Sequence, residues 1–179
     1  MTRARFYLDI DGCVLADALT WGDRQTTTLR VKHGGGFGML ETLNYSRTQL
    51  DTIETLRHDF DVELVILSTW LEDGHIHHLQ KKLNALHGAR WLPIPRRQGM
   101  TQELPHAWKL DALLADQADN PGPFIWADDD EVPVHDETVS EAVSEPVLLL
   151  APTSALGLTP AHLEQTRAFL AGLPRMDGA

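Results

Sequence analysis

The sequence has little cysteine, a deficit of basic residues and no long apolar run. Cys13 is the only cysteine, which excludes an intramolecular disulfide framework and a cysteine-rich zinc site and favours a reducing compartment. The 15 Lys and Arg residues against 26 Asp and Glu give a formal net charge of -11. On average, therefore, the chain has no long-range attraction for nucleic acid or an anionic membrane, although this balance still permits a local basic patch.

The apolar residues are dispersed in short runs, so the sequence predicts no membrane span. The first residues, Met-Thr-Arg-Ala-Arg-Phe, are unlike a secretory signal, and we expect a soluble cytoplasmic protein. A chain of 179 residues with 42% apolar composition can bury an ample core. Without an internal repeat or a linker, residues 1–179 are expected to form a single domain.

The most informative stretch is residues 6–15, in which an apolar run ends abruptly at two carboxylates one residue apart. A short apolar run of this kind predicts a buried strand, with Asp9 and Asp11 at its carboxyl end and Gly12 permitting a sharp turn. Two adjacent carboxylates repel, so a shared proton, a basic residue or a cation must offset them. Mg²⁺ suits such oxygen ligands best. A plain polar turn is the alternative interpretation of this stretch alone.

Three later stretches carry polar residues at the end of a strand or the start of a helix. Ser68, Thr69 and Trp70 follow a predicted strand over 62–67, and Lys109 lies in the first turns of a helix that Pro105 introduces. A run of four acids, 128–131, follows a strand over 124–127. The remaining predicted elements are a β-hairpin flap over about 16–42 with its turn at Gly34–Gly36, helices over 46–58, 74–87 and 160–171, short strands over 91–94 and 147–151, and an acidic, partly helical segment over 136–145.

Alternating strands and helices predict an α/β fold: a Rossmann-like parallel sheet of about five strands with helices on both faces. The arrangement of strand, Asp9-x-Asp11-Gly12 and the later motifs in this order resembles the haloacid-dehalogenase superfamily of phosphohydrolases. Ser68-Thr69-Trp70, Trp108-Lys109-Leu110 and Trp126-Ala127-Asp128-Asp129 look more closely like the domain of that superfamily associated with Swiss-army-knife RNA repair proteins. The resemblance implies the strand order 5-4-1-2-3 and a hairpin flap after the first strand. Neither gap between motifs holds a large cap domain.

The resemblance also implies a role for each matched residue. Asp9 would be the nucleophile that forms an aspartyl-phosphate, and Asp11 the general acid and base. Ser68 and Lys109 would bind the phosphoryl oxygens, with Ser68 preferred to Thr69 as the hydroxyl. Gly12, Thr69 and Trp70 would contact substrate. Mg²⁺ would be held by Asp9, Asp128, the backbone carbonyl of Asp11 and, directly or through water, Asp129.

The function implied is a Mg²⁺-dependent phosphomonoesterase with an open site suited to a polynucleotide end, a nucleotide or a phosphoprotein, or to closure by another subunit. Local residues could grip a backbone or stack on a base: Arg24, Arg30, Lys32, Arg96, Arg97, Trp21 and Trp70. His75, His77 and His78 are interpreted as surface or substrate-facing residues rather than metal ligands. The rival functions are a phosphotransferase with the same nucleophile and a noncatalytic binding protein of the same fold.

Overall fold

A computed structural model describes residues 3–31, 39–83, 86–95 and 107–174. The elements follow in this order: β1 (Arg5–Leu8), β2 (Arg24–Val31), β3 (Met39–Ser46), α1 (Arg47–Asp59), β4 (Glu63–Ile66), a 3₁₀ helix (Thr69–Gly74), α2 (His75–Lys82), β5 (Arg90–Trp91), α3 (Trp108–Asp119), β6 (Phe124–Ala127), α4 (Val132–Ala142), β7 (Val147–Leu150) and α5 (Pro160–Gly172). Across these ranges, no helix has the length and apolar character needed to traverse a bilayer.

Five strands form a parallel sheet in the order β5-β4-β1-β6-β7, with β1 at its centre. Numbering only these five strands along the chain gives 3-2-1-4-5, which is the predicted order read from the other edge. The α/β prediction is therefore confirmed, and no large cap domain occurs within the described residues. Strands β2 and β3 pair separately as an antiparallel hairpin. Its predicted turn, Gly34–Gly36, lies outside the described residues.

The central strands are apolar on both sides because each face of the sheet is covered by helices. In β1, Phe6 and Leu8 belong to the core shared with α1, α5 and the hairpin, whereas Tyr7 belongs to the core shared with α3 and α4. Strand β6 alternates in the same way, with Trp126 on the side of Tyr7. This period of two decides which face receives each residue that follows a strand.

Helix α1 begins where the hairpin ends, and its first turn forms only half of the capping box that the pattern Ser46-Arg47-Thr48-Gln49 predicts. The Ser46 side chain accepts a hydrogen bond from the backbone N–H of Gln49 at 3.0 Å, as in a capping box. The reciprocal bond is not formed, because the buried Gln49 side chain donates instead to the carbonyls of Cys13 and Leu158, at 2.9 and 3.0 Å. Gln49 therefore ties α1 to two loops.

Two predicted helices have different limits in the structure. The helix predicted over 74–87 corresponds to α2, which ends earlier, at Lys82, and a 3₁₀ helix, Thr69–Gly74, precedes it. The acidic segment predicted over 136–145 is helical from Val132, with Pro133 in its first turn, where a missing N–H does no harm. Pro105, which was expected to start α3, lies outside the described residues.

Candidate active site

Asp9 and Asp128 meet at the carboxyl edge of the sheet because of strand register. Strands β1 and β6 are parallel with Leu8 opposite Ala127, so the next residues, Asp9 and Asp128, leave the sheet side by side. The Asp9 N–H donates to the carbonyl of Ala127 at 3.0 Å and extends this pairing. Alternation directs both carboxylates to the face that α3 covers. Asp9 and Asp128 are both buried.

Lys109 joins these two carboxylates from the start of α3. Its Nζ donates to Oδ2 of Asp9 at 2.6 Å and to Oδ2 of Asp128 at 2.7 Å. Each aspartate uses its other oxygen locally: Oδ1 of Asp9 accepts from the N–H of Ile10, and Oδ1 of Asp128 accepts from the N–H groups of Asp130 and Glu131. Charge-assisted bonds of this kind are short and directional. The ammonium is therefore held between two fixed carboxylates.

Asp129 brings a third carboxylate to the same place. Oxygens of Asp9, Asp128 and Asp129 lie within 4.8 Å of one another, a spacing that could hold a metal ion. The Asp129 side chain lies directly over Gly12, where an added Cβ would come within 2.1 Å of its Cγ. Gly12 also has φ +65°, a conformation that other residues rarely adopt. The glycine is thus required both by its backbone and by the acid packed on it.

The electrostatics of this trio favour an additional cation. Burial alone lowers the pKa of Lys109, but attraction to Asp9 and Asp128 more than offsets it and raises that pKa, so Lys109 is an ammonium. Burial raises the pKa of Asp9, although Lys109 and the Ser68 side chain act in the opposite direction. Burial and then repulsion from Asp130 raise the pKa of Asp129 to about 6. When all three carboxylates are ionised, they exceed the one ammonium by two negative charges, and oxygen donors this close suit a hard divalent ion.

Ser68 and Thr69 follow β4, the neighbour of β1 on its other side, and they differ in exposure. Ser68 is fully buried and lies close enough for its side chain to hydrogen-bond with Asp9, whereas Thr69 is exposed. The Ser68 oxygen also accepts a long bond, 3.4 Å, from the N–H of Trp70. Ser68 therefore belongs to the group formed by Asp9, Lys109 and Asp128, and Thr69 faces solvent beside it.

Asp11 lies apart from the acidic trio and has a different partner. The indole Nε1 of Trp70 donates to Oδ2 of Asp11 at 2.8 Å. Burial of the carboxyl is the largest influence and raises the pKa of Asp11, although the indole N–H acts to lower it. Repulsion from Glu41 in β3 raises the pKa of Asp11 further, so this part of the hairpin lies close to Asp11. The Asp11 side chain is not a member of the carboxylate cluster among the described residues.

The other candidate residues are dispersed around this centre. Trp70 is only 6% exposed, so little of its ring is available for stacking on a base. Trp21 is half-buried and donates its N–H to the carbonyl of Leu158. His75 is buried with its ring edge-on to Trp70, and His77 is edge-on to Trp91. Lys32, Arg96 and Arg97 lie outside the described residues. Arg24 and Arg30 are exposed on β2.

Sequence reasoning missed two contacts that shape the site: the indole bond to Asp11 and the Gln49 bridge. Gln49 hydrogen-bonds the carbonyl of Cys13, which follows Gly12, and Leu158 donates its N–H to that same carbonyl at 2.8 Å. The only sequence signal for this role was a glutamine at the third position of α1, which a capping box explains equally well. Burial raises the pKa of Cys13 well above its usual range, so this thiol is protonated and acts as a packing residue.

A parallel sheet of order 3-2-1-4-5, with an acidic cluster and a buried lysine at its carboxyl edge, places the chain among Rossmann-like α/β proteins with a site at that edge. A family model described as "HAD domain in Swiss Army Knife RNA repair proteins" matches residues 6–163. The chain belongs to this family, and the resemblance inferred from its motifs is confirmed. Membership of this family indicates a phosphatase-type function for the chain. No curated protein and no solved structure matches the chain.

Proposed function

We propose that residues 1–179 act as one Mg²⁺-dependent phosphomonoester hydrolase that works through an aspartyl-phosphate. The terminal phosphate of a nucleic acid or nucleotide is the substrate class we favour. One observation carries the proposal: the Lys109 ammonium is hydrogen-bonded to both Asp9 and Asp128 inside a cluster of three carboxylates. An enzyme that transfers a phosphoryl group needs a nucleophile and positive charge around the phosphoryl oxygens, and this cluster supplies both.

Asp9 is the proposed nucleophile. Its Oδ1 is fixed by the N–H of Ile10 and its Oδ2 by Lys109, so the carboxylate is oriented before substrate arrives. A carboxylate oxygen attacks phosphorus, the bond from phosphorus to the ester oxygen breaks, and Asp11 gives its proton to the departing alkoxide. Water then attacks the acyl phosphate, Asp11 takes back a proton, and inorganic phosphate leaves with Asp9 restored.

Lys109 and Ser68 are the proposed ligands of the phosphoryl oxygens. Lysine is a compact positive charge with three donors, so it can contact a phosphoryl oxygen while it keeps one bond to a carboxylate. The Ser68 hydroxyl, buried near Asp9, is the matching neutral donor. Thr69 is exposed and is left to contact the rest of the substrate, as is the backbone at Gly12.

Mg²⁺ is the proposed cofactor, with Asp9, Asp128 and Asp129 as side-chain ligands and the backbone carbonyl of Asp11 as a further ligand. The excess of two negative charges in the cluster supports this assignment. When bound, Mg²⁺ would neutralise charge on the phosphoryl group and on the carboxylates that face it. The Asp128 carboxylate is fixed by the chain itself, because it accepts hydrogen bonds from Lys109 and from the N–H groups of Asp130 and Glu131.

The substrate class rests on the family's description as an RNA repair domain. Exposed Arg24 and Arg30 on the hairpin offer positive charge for a phosphate backbone. A net charge of -11 opposes strong nonspecific binding of nucleic acid, so recognition of a chain end by its phosphate fits better than binding along a strand.

The test is a phosphatase panel with p-nitrophenyl phosphate, nucleotides, and DNA and RNA bearing 3′- or 5′-phosphates, in Mg²⁺ and in EDTA. We expect release of inorganic phosphate in Mg²⁺, its loss in EDTA, and loss of at least about 10³-fold in Asp9→Asn. Asp119→Asn, an exposed aspartate on α3, is the matched control and should keep full activity.

Three outcomes would contradict the proposal in different ways. Turnover in Asp9→Asn equal to wild type would exclude this nucleophile. Phosphate passed to an added alcohol in preference to water would make the protein a phosphotransferase. Absence of turnover on every substrate, with binding of phosphorylated ends retained, would make it a noncatalytic binding protein.

A further inference from the structure

Trp70 contacts the proposed proton donor rather than the phosphoryl site. Its Nε1 lies 2.8 Å from Oδ2 of Asp11, within the normal range for a hydrogen bond. Asp11 is exposed as a whole residue, whereas Trp70 is only 6% exposed and packs in the main core. A carboxylate at the surface is thus hydrogen-bonded to a buried ring.

The position of this ring depends on the turn that also presents Ser68. The N–H of Trp70 donates to the Ser68 hydroxyl, and the N–H of Leu71 donates to the Ser68 carbonyl at 3.2 Å. The edge of His75 packs against the indole, with the ring centres 6.4 Å apart. Ser68 and the 3₁₀ helix that follows it therefore place the hydroxyl beside Asp9 and the indole N–H against Asp11.

The bond also distinguishes the two oxygens of Asp11. An indole N–H can only donate, so Oδ2 of Asp11 is the accepting oxygen. A proton carried by Asp11 is therefore best placed on Oδ1, the oxygen that the indole leaves uncovered. Orientation of a general acid to within a fraction of an ångström strongly affects proton transfer in the transition state.

We infer that Trp70 is a positioning residue that holds Asp11 with Oδ1 directed at the leaving oxygen. The inference rests on the proposed function, since it refines the proton transfer of that reaction. It assigns Trp70 to the orientation of the acid, in place of contact with substrate. Trp70 acts only through Asp11 and forms no bond to the reacting atoms.

A series of aryl phosphates tests this assignment, from 2,4-dinitrophenyl phosphate to unsubstituted phenyl phosphate, with Mg²⁺ present. A dinitrophenolate leaves without being protonated, whereas a phenolate leaves faster when an acid protonates it. The measured quantity is kcat/KM, because it reports steps up to cleavage of the ester bond and excludes hydrolysis of the phosphoenzyme. For Trp70→Phe we expect a loss of about tenfold on phenyl phosphate and of less than about twofold on the dinitrophenyl ester.

Two further variants separate positioning from packing. Trp126→Phe is the matched control, because Trp126 is fully buried and its N–H has no hydrogen-bond partner among the described residues. It should change kcat/KM by the same factor on every ester. In an Asp11→Asn background, Trp70→Phe should cause no further loss on phenyl phosphate, because a residue that acts through Asp11 has nothing left to orient.

If Trp70→Phe does not fold, benzothienylalanine at position 70 keeps the fused rings and removes the N–H. An equal loss on all esters, or a full additional loss in the Asp11→Asn background, would overturn the assignment and make Trp70 a packing residue. These outcomes leave the proposed function intact. The proposed function fails only if Asp9→Asn keeps its turnover or if the wild type hydrolyses none of the esters.

Discussion

Replacing Lys109 by methionine removes the only ammonium contact that Asp9 and Asp128 have among the described residues. The Lys109 side chain is 7% exposed, and those of Asp9 and Asp128 are 8% and 0% exposed. Loss of one member of a buried ion pair costs about 3–5 kcal/mol because the remaining charges stay desolvated. We therefore expect Lys109→Met to lower the free energy of unfolding by about that amount in EDTA.

Urea unfolding followed by tryptophan fluorescence measures this change. With a slope of about 2 kcal/mol per molar urea, the midpoint should fall by about 1.5–2.5 M. Lys81→Met removes an exposed lysine from α2 and should alter stability by less than about 0.5 kcal/mol. Asp129→Asn makes the opposite comparison: it removes one of the repelling carboxylates and should leave stability in EDTA unchanged or higher. Equal midpoints for Lys109→Met and wild type would refute the reasoning, because the carboxylates would then be stable without their cation.

Three other predictions concern the carboxylate cluster, the turn at Gly12 and Asp116, whose part-buried carboxylate accepts hydrogen bonds from Tyr7 and Arg90. Mg²⁺ at about 100 times its dissociation constant should stabilise the wild type by about 2.7 kcal/mol in thermal unfolding, and Asp128→Asn should abolish this gain while exposed Asp130→Asn keeps it. Gly12→Ala should remove activity and destabilise the fold by more than Gly22→Ala does. Gly22 has φ +79° but open space where a Cβ would lie, so Gly22→Ala should lower the free energy of unfolding by only about 1 kcal/mol. Asp116→Asn should lower stability at pH 7 by about 1.5–3 kcal/mol in urea, and the difference should vanish in acid.

The pH dependence of the Asp116 variant follows from the sign of its pKa shift. Burial acts to raise the pKa of Asp116, but hydrogen bonds from Arg90 and Tyr7 outweigh it and lower the pKa below the ordinary 3.8. The ionised carboxylate therefore stabilises the fold at pH values above 3.8, and this contribution is lost as the pH falls through the folded-state pKa. A difference that stayed constant from pH 7 to pH 2 would show that packing, rather than charge, is responsible.

The fold could be predicted because its signals are local. Short apolar runs end at Asp9, Ser68 and Asp128, and each run becomes a central strand whose neighbours come from parallel pairing. The resemblance implied that Lys109 binds phosphoryl oxygens, and its ammonium meets Asp9 and Asp128 because register and alternation direct both carboxylates to the face that α3 covers. The predicted order of strands came from family resemblance, since hydrophobic patterns do not specify which strands are neighbours.

The contacts that escaped prediction join residues far apart in the chain. Gln49 bridges to Cys13 and Leu158, and its spacing from Ser46 predicts a capping bond that the structure replaces. The indole bond from Trp70 to Asp11 depends on a 3₁₀ helix, Thr69–Gly74, in a stretch that carries no helical period in the sequence. In both cases, a hydrogen bond joins segments that are distant in the chain, and no pattern of neighbouring residues reveals such a contact.

The tight packing around Cys13 gives the protein an internal reporter of loop opening. As the only thiol in the chain, fully buried and immediately after Gly12, it can be reached by an alkylating reagent only when this segment separates from Gln49 and Leu158. The rate at which Cys13 is modified in native buffer therefore measures how often the segment that carries Asp9 and Asp11 unfolds locally. A ligand that binds these two acids should protect the thiol without touching it.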